Sequence, residues 1–524
     1  GFKDGLISFG KVAMGGEASD IFSKLELQQH RAITAENIKQ LPLINKLMPN
    51  ALEQGGVAAR AVDLLGSGVR TPGRMLVAGD ELYKSIGYKM ELNARAFRTA
   101  VEEGLEGKAA AKRIQEIIND PEVHAPDIHA AAINAARYQT FTKPLGKAGQ
   151  SYQQIVNNIP VLRLITPFIR TPTNILKFAG ERTPLALASK NIRAELSAGG
   201  ARRDLALAKM SMGSMVMATV ATMAAEGHIT GGGPTDHALR SYKYNTGWQP
   251  YSLKIGNKYF AYNRLEPLGM LFGLAADFSE IAGQLSESER GDLATALVSS
   301  VSKNVTSKTW LRGLSEAVQA FEDPDRYADK FLQNYAGTLT PTGVAQIERI
   351  QDPVMREVNG YMDAIKARVP GWSKDLPPRR NIWGEPILLE GGLGPDIISP
   401  IYTSTQKSSP IDEEIIRLEK PFQMPRKVVS LKGVPIELTP EQYDKYIVLM
   451  NTLKLQSTGQ TLKQSLNDMV QNNNIYKNAS DNNKIAMIKH KIQEAKFLAN
   501  QALPDQFAEL RSMIQYGQSQ LMRR

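Results

Sequence analysis

The chain has 524 residues, 42% of them hydrophobic and 22% charged, a balance that excludes wholesale disorder and leaves room for about two to four structural units. It contains no cysteine, which excludes disulfides, thiolate catalysis and cysteine-ligated metal. The formal net charge of +10 is uneven, because residues 151–260 hold 13 Arg and Lys against 5 Asp and Glu; a cationic middle points to anionic lipid, nucleic acid or an acidic neighbouring subunit as partner.

The first residue is Gly1 and no signal peptide precedes it, so the chain is expected to be a segment or processed part of something longer. An N-terminal helical region is expected over 1–150. Its first seventy residues are interrupted by glycines at 15, 16, 55, 56, 66 and 68. From Thr71 the helical pattern strengthens, and Leu82, Ile86, Met90, Leu92, Ala96 and Phe97 read as one buried stripe. A second helix, IHAAAINAARYQTF, is alanine-rich and permits close helix contacts.

Residues 151–265 form a cationic and apolar segment. Prolines at 160, 167, 172 and 184 forbid one uninterrupted helix there and predict short kinked ones. Arg163, Arg170 and Lys177 recur at seven-residue intervals, the spacing of one cationic helix face. With Arg182, Arg202, Arg203 and Lys209 they are the candidate contacts for DNA phosphates or lipid headgroups. The alternative is a proline-punctuated packing segment with solvated arginines.

Next comes the apolar run Met210–Ala225. As a helix it spans about 24 Å, or about 31 Å when extended back to Leu205, against a hydrocarbon core of about 30 Å. Met210, Met212, Met215, Met217, Val220 and Met223 are the candidate residues facing a membrane or a channel lumen, since methionine adapts to more than one neighbour. Ser214, Ala218 and Thr222 recur every four residues, a spacing that lets helices approach in lipid. The competing reading is a buried helix in an all-α core.

After the glycine turn at 231–233, YSLKI–GN–KYFAY has the alternation and two-residue turn of a β-hairpin near 251–262. Such a hairpin needs something to pack on. Trp248, Tyr251, Tyr259 and Tyr262 are its candidate interface residues, with core aromatics as the plainer alternative. Residues 266–370 return to helix, with Ser286 and Glu289 spaced as a capping box. An extended, proline-rich strap is expected over 371–438. A C-terminal helical region over 439–524 opens at Thr439-Pro440-Glu441-Gln442, where an N-cap, an N1 proline and a capping glutamine coincide. Tyr443, Tyr446, Ile447 and Met450 mark its buried face.

Motifs that carry chemistry are few. The GGGP turn lacks the Lys-Ser/Thr of a phosphate-binding loop and follows a helix. His124 and His129 lack an acidic partner at metalloprotease spacing. No GxSxG nucleophile elbow is present. The carboxylate pairs Glu102-Glu103 and Glu413-Glu414 are adjacent, so on a helix they diverge by about 100°. No catalytic, cofactor-binding or metal residue is assigned, and the segment is expected not to be an enzyme.

Four stretches carry a family resemblance: residues 71–98 (TPGRMLVAGDELYKSIGYKMELNARAFR), 159–187, 229–269 and 375–387 (DLPPRRNIWGEPI). They resemble the internal virion, or DNA-ejection, proteins of podoviruses and the C-terminal regions of related large polyvalent phage proteins. The resemblance implies a protein stored inside the capsid and expelled before the genome. It would reassemble as a homo-oligomer, with other ejection or internal core proteins, into a tunnel across the host periplasm and inner membrane. Contact with double-stranded DNA would then be non-specific. A lytic transglycosylase or virion RNA polymerase can precede the shared region in such proteins, so the alternative is the scaffold part of a larger virion-packaged enzyme. The expected fold is mainly α: a multi-helix, elongated assembly subunit with one small hairpin.

Overall fold

A computed structural model describes the backbone of residues 57–158, 169–284, 299–304, 323–338, 342–389 and 401–522, with positions 6, 7, 10, 316, 319, 340 and 399 besides. The fold is mainly α-helical with small antiparallel sheets. The chain divides into two compact units, Gly1–Lys177 and Phe178–Arg524.

The first unit is built on α1, Val57–Glu102, a helix of 46 residues. Two shorter helices, α2 (Gly107–Asn119) and α3 (Pro126–Gln139), fold back onto it. Pro126 fits the first turn of α3, where its missing N–H leaves no bond unmade. Tyr88, Leu92 and Ala96 of α1 meet Ile117 of α2 and Ala132 and Ala136 of α3. The alanines keep these helices close, as the sequence of α3 suggests. The buried stripe expected on α1 needs correction. Leu92 and Ala96 are buried and Leu82 and Ile86 half-buried, but Met90 and Phe97 are 67% and 60% exposed. At 100° per residue those two lie about 140° to 160° around the helix from Leu92. Two further helices, α4 (Lys147–Asn158) and α5 (Arg170–Gly180), follow. Asn174 on α5 is buried and donates to the carbonyls of Phe141 and Lys143 at 2.9 and 2.8 Å.

The second unit opens with α6 (Lys190–Ala198), α7 (Gly200–Ala225) and α8 (His237–Asn245). The expected hairpin follows, β1 (Ser252–Ile255) against β2 (Lys258–Ala261), with Leu253 opposite Phe260 across the Gly256-Asn257 turn. It is supported on both sides. Helix α9 (Leu268–Gln284) contributes to the core beneath it, and β3 (Thr403–Thr405) pairs antiparallel along β2. Helices α10 (Pro324–Thr338), α11 (Thr342–Gln351) and α12 (Tyr361–Lys366) come next. The Ser286–Glu289 capping box lies outside the described residues.

On either side of α12, residues 353–360 and 376–389 are largely extended and joined by isolated bridges, Val354 to Leu388, Arg356 to Pro378 and Arg380 to Pro386. Within 371–438 the structure also holds a helix, α13 (Pro410–Arg417), and a second hairpin, β4 (Val428–Leu431) with β5 (Val434–Glu437). The C-terminal region follows as α14 (Pro440–Thr452), α15 (Leu462–Asn472), α16 (Asp481–Gln506) and α17 (Ala508–Met522). Thr439 and Gln442 form the expected reciprocal cap: Gln442 N–H donates to Thr439 Oγ1 at 3.3 Å, and Thr439 N–H to Gln442 Oε1 at 3.1 Å. Tyr446, Ile447 and Met450 are buried in the largest core among the described residues, with Tyr443 packed at its edge.

One buried carboxylate ties that core to the rest of the unit. Asp412 Oδ1 accepts from Tyr242 Oη at 2.6 Å and Trp383 Nε1 at 2.8 Å. Its Oδ2 accepts from the Ser409 N–H and Oγ at 2.8 and 2.6 Å. Burial, then the Asp412 charge, pushes the Tyr242 hydroxyl far above its usual range, so it stays protonated as a donor. Asp412→Ala would strand these buried donors and is expected to destabilise the C-terminal core by about 1–3 kcal/mol for each donor left unsatisfied. Urea unfolding of the full chain, followed by tryptophan fluorescence, measures the loss; a shift below about 0.5 kcal/mol, the range of a surface change, would contradict it.

Candidate functional site

The apolar run folds as the C-terminal two-thirds of α7. Its inward line is Ala206, Gly213 and Val220, buried at seven-residue intervals, the spacing of a helix seam. Gly213 is required by a close approach: a Cβ there would lie 2.0 Å from the Arg182 carbonyl oxygen and 2.5 Å from Arg182 Cβ. Lys209 is fixed on the same side, with Nζ 3.3 Å from Glu181. Met217 and Met223 pack at the edge of a small core formed with Ile229, Tyr251, Tyr262, Ala275 and Ala276. Ser279 of α9 donates to the Ala221 carbonyl at 2.9 Å.

The outward face is the unusual one. Met212 and Met215 are 70% and 71% exposed, and Leu205, Leu207 and Val216 are exposed beside them. The helix is long and apolar enough to cross a membrane, yet only 17% of its most apolar window is buried. A core helix of the same composition would be mostly buried. Val220, Met217 and Met223 thus face the small core, while Met212 and Met215 face water. Two of its hydroxyls bond back to the helix: Thr219 Oγ1 donates to the Met215 carbonyl and Thr222 Oγ1 to the Ala218 carbonyl, both at 3.0 Å. Met210 is half-buried between the two faces.

The cationic candidates separate into different roles. Arg163 lies outside the described residues. Arg170 is half-buried at the start of α5, where Lys177 is exposed. Arg182 is clamped in place, its guanidinium 3.3 Å from the Phe178 ring centroid and its Nη1 donating to the Phe178 carbonyl at 3.0 Å. Arg202 and Arg203 are exposed in the first turn of α7. There they add charge to the positive end of the helix dipole, an arrangement unfavourable in water and favourable beside an anion.

The hairpin aromatics are spent on internal contacts. Tyr251, Tyr259 and Tyr262 are buried. The Tyr262 hydroxyl donates to the Thr230 carbonyl at 2.8 Å, and Tyr259 to Gln406 Oε1 at 3.3 Å. Trp248 is half-buried, edge-on to Tyr244 at 5.5 Å. Its ring also seats Gly233, whose φ of +81° admits no ordinary side chain.

The glycine turn holds an anion, and the anion is the chain's own. Gly231 and Gly233 donate their N–H groups to Glu280 Oε1 and Oε2 at 2.8 and 3.0 Å, and Gly232 donates to Asp277 Oδ1 at 2.8 Å. Lys303 closes the cluster, 3.1 Å from Asp277 and 3.0 Å from Glu280. Burial raises the Asp277 carboxyl, against the pull of Lys303 and the Gly232 N–H. Sequence reasoning names the glycines but not Asp277, Glu280 or Lys303, which lie 23 to 70 residues away from their partners. Their only trace is the i, i+3 spacing of two acids in an otherwise apolar helix.

Among the described residues no group of three or more His, Asp or Glu is placed to hold a metal. His129 lies 2.7 Å from the Tyr88 hydroxyl, and Glu414 binds Arg417 and Tyr476. No protein-family model, curated protein or solved structure matches the chain.

Lys303→Met leaves Asp277 and Glu280 without their counter-charge and is expected to cost about 3–5 kcal/mol at pH 7. Because the folded Asp277 pKa is already raised, its ionisation opposes folding once pH passes the unfolded value of about 3.9. Removing Lys303 raises it further, so the variant should recover stability as pH falls from 7 towards 4.5. Melting curves across that range test this; a deficit that is constant or grows on acidification would contradict it.

Proposed function

We propose that the chain is a structural subunit of an oligomeric conduit that engages a lipid bilayer through the outward face of α7, in the manner of a phage DNA-ejection protein. The observation that carries the reading is the apolar outer face of α7, with Ala206, Gly213 and Val220 inward and Met212 and Met215 outward. Burial of such a face in lipid or against a channel neighbour recovers apolar area that water contact forfeits. Arg202 and Arg203 at its N-terminal end suit the anionic headgroups of an inner membrane. The resemblance of residues 71–98, 159–187, 229–269 and 375–387 to phage ejection proteins supplies the biological setting: storage in the capsid, then the host periplasm and inner membrane. In that setting exposed cations such as Lys177 would meet double-stranded DNA through its phosphates, without sequence preference. No catalytic role is assigned to this segment.

Purified protein is expected to release dye from vesicles containing anionic lipid. Met212→Asp combined with Met215→Asp should abolish release, because each aspartate at the bilayer centre costs about 2.5 to 3.5 kcal/mol. Both sites are exposed, so the melting temperature should hardly change. Undiminished release by a folded double variant would overturn the assignment of α7 as the lipid-facing element.

A further inference from the structure

A second exposed surface is built where the chain turns into α7. A short helical turn, Pro184–Ala188, packs against both α6 and α7, and α6 runs into α7 through Gly199. Arg193 of α6 donates from Nη1 to the carbonyls of Leu187 and Ala188 at 2.9 and 3.2 Å. Those bonds hold the turn against α6, and Leu187 is left 50% exposed. On α7, Arg202, Leu205 and Lys209 fall at i, i+3 and i+7, along one side of the helix, and Leu205 is 59% exposed. Lys190, Arg193, Arg202 and Arg203 are exposed as well. Residues 178–209 hold six Lys and Arg against three Asp and Glu, and one of those acids, Glu181, is engaged by Lys209.

From this placement we infer that the corner formed by residues 184–205 is a docking surface for the headgroup layer of an anionic bilayer, and that docking there is separable from entry of α7. The inference rests on the reading of the chain as a bilayer-engaging subunit and adds the step that brings it to the surface. Cations in excess over acids are drawn to an anionic leaflet. The leucines among them decide between lipid and nucleic acid. A phosphate backbone in water rewards charge alone, whereas a bilayer interface also accepts apolar side chains at the headgroup boundary while Arg and Lys stems reach back to the phosphates. Guanidinium suits that layer, because its planar fork meets a phosphate at two points. Leu187 and Arg193 supply the two halves of such a contact at neighbouring positions, and Leu205 with Arg202 repeats it on α7. Docking through this corner sets the N-terminal end of α7 at headgroup level. Met212, about 10 Å along the axis from Leu205, is then the next large residue on that face to meet the acyl chains.

Co-sedimentation of the full chain with vesicles tests this, with dye release read on the same samples. The chain should bind phosphatidylglycerol vesicles, less as salt rises, and bind phosphatidylcholine vesicles weakly. Lys190→Glu, Arg202→Glu and Arg203→Glu together should weaken binding at least about a hundredfold, each cation near the surface being worth about fivefold. Leu187→Ser with Leu205→Ser should weaken it about tenfold and leave binding to a short DNA duplex unchanged. All five positions are exposed, so melting temperatures should stay near that of the parent chain. Met212→Asn with Met215→Asn should release no dye yet still co-sediment. Undiminished binding by the charge-reversed variant, or equal binding to neutral vesicles, would overturn the docking surface. So would loss of duplex binding on charge reversal together with vesicle binding that ignores the leucine changes, which would assign the corner to nucleic acid. A parent chain that co-sediments but never releases dye would contradict the α7 reading alone, so the two fail separately.

Discussion

The close approach of Gly213 to the Arg182 carbonyl fixes the rotation of α7, and the reading of its outer face depends on that contact. A helix made almost wholly of apolar residues has no strong preference for which side faces inward. Here the choice is made sterically, because only the glycine side fits against the turn that ends α5. The Lys209–Glu181 ion pair and the Ser279 hydrogen bond to Ala221 hold the same orientation from other points along the helix. Once that side is inward, Met212 and Met215 must face outward.

The second recurring device is an internal carboxylate that gathers donors from distant parts of the chain. Asp412 draws Tyr242, Trp383 and Ser409 to one point, and Asp277 with Glu280 draws in three consecutive glycine N–H groups and Lys303. Both sites bury charge, which is costly unless every lone pair is used. What such sites secure is one arrangement of segments remote in sequence: hairpin against α9, extended strap against the C-terminal core. A string of N–H groups that resembles an anion cradle is thereby occupied from within the fold.

Features set by neighbouring residues were legible in the sequence. The Gly256-Asn257 turn with alternating flanks defines the hairpin, and Thr439 with Pro440 and Gln442 defines the start of α14. The exposure of Met90 and Phe97 was not legible, because α1 has apolar residues on two faces and composition alone does not say which face the unit's own helices cover. Likewise the length and hydropathy of α7 fit a core helix and a membrane helix equally well. Only the arrangement of its neighbours shows which of its residues are covered and which are exposed. The partners of the glycine turn were hidden for a third reason: a carboxylate many residues away leaves no local signal.

The most direct test of the central claim is the depth of α7 in a bilayer. A Met215→Cys variant of the full chain, labelled with an environment-sensitive fluorophore and mixed with anionic vesicles, reports whether that face leaves water. A blue-shifted emission, quenched by groups attached deep on the lipid chains, is the expected result. Emission unchanged by vesicles and quenched only by aqueous agents would contradict the account.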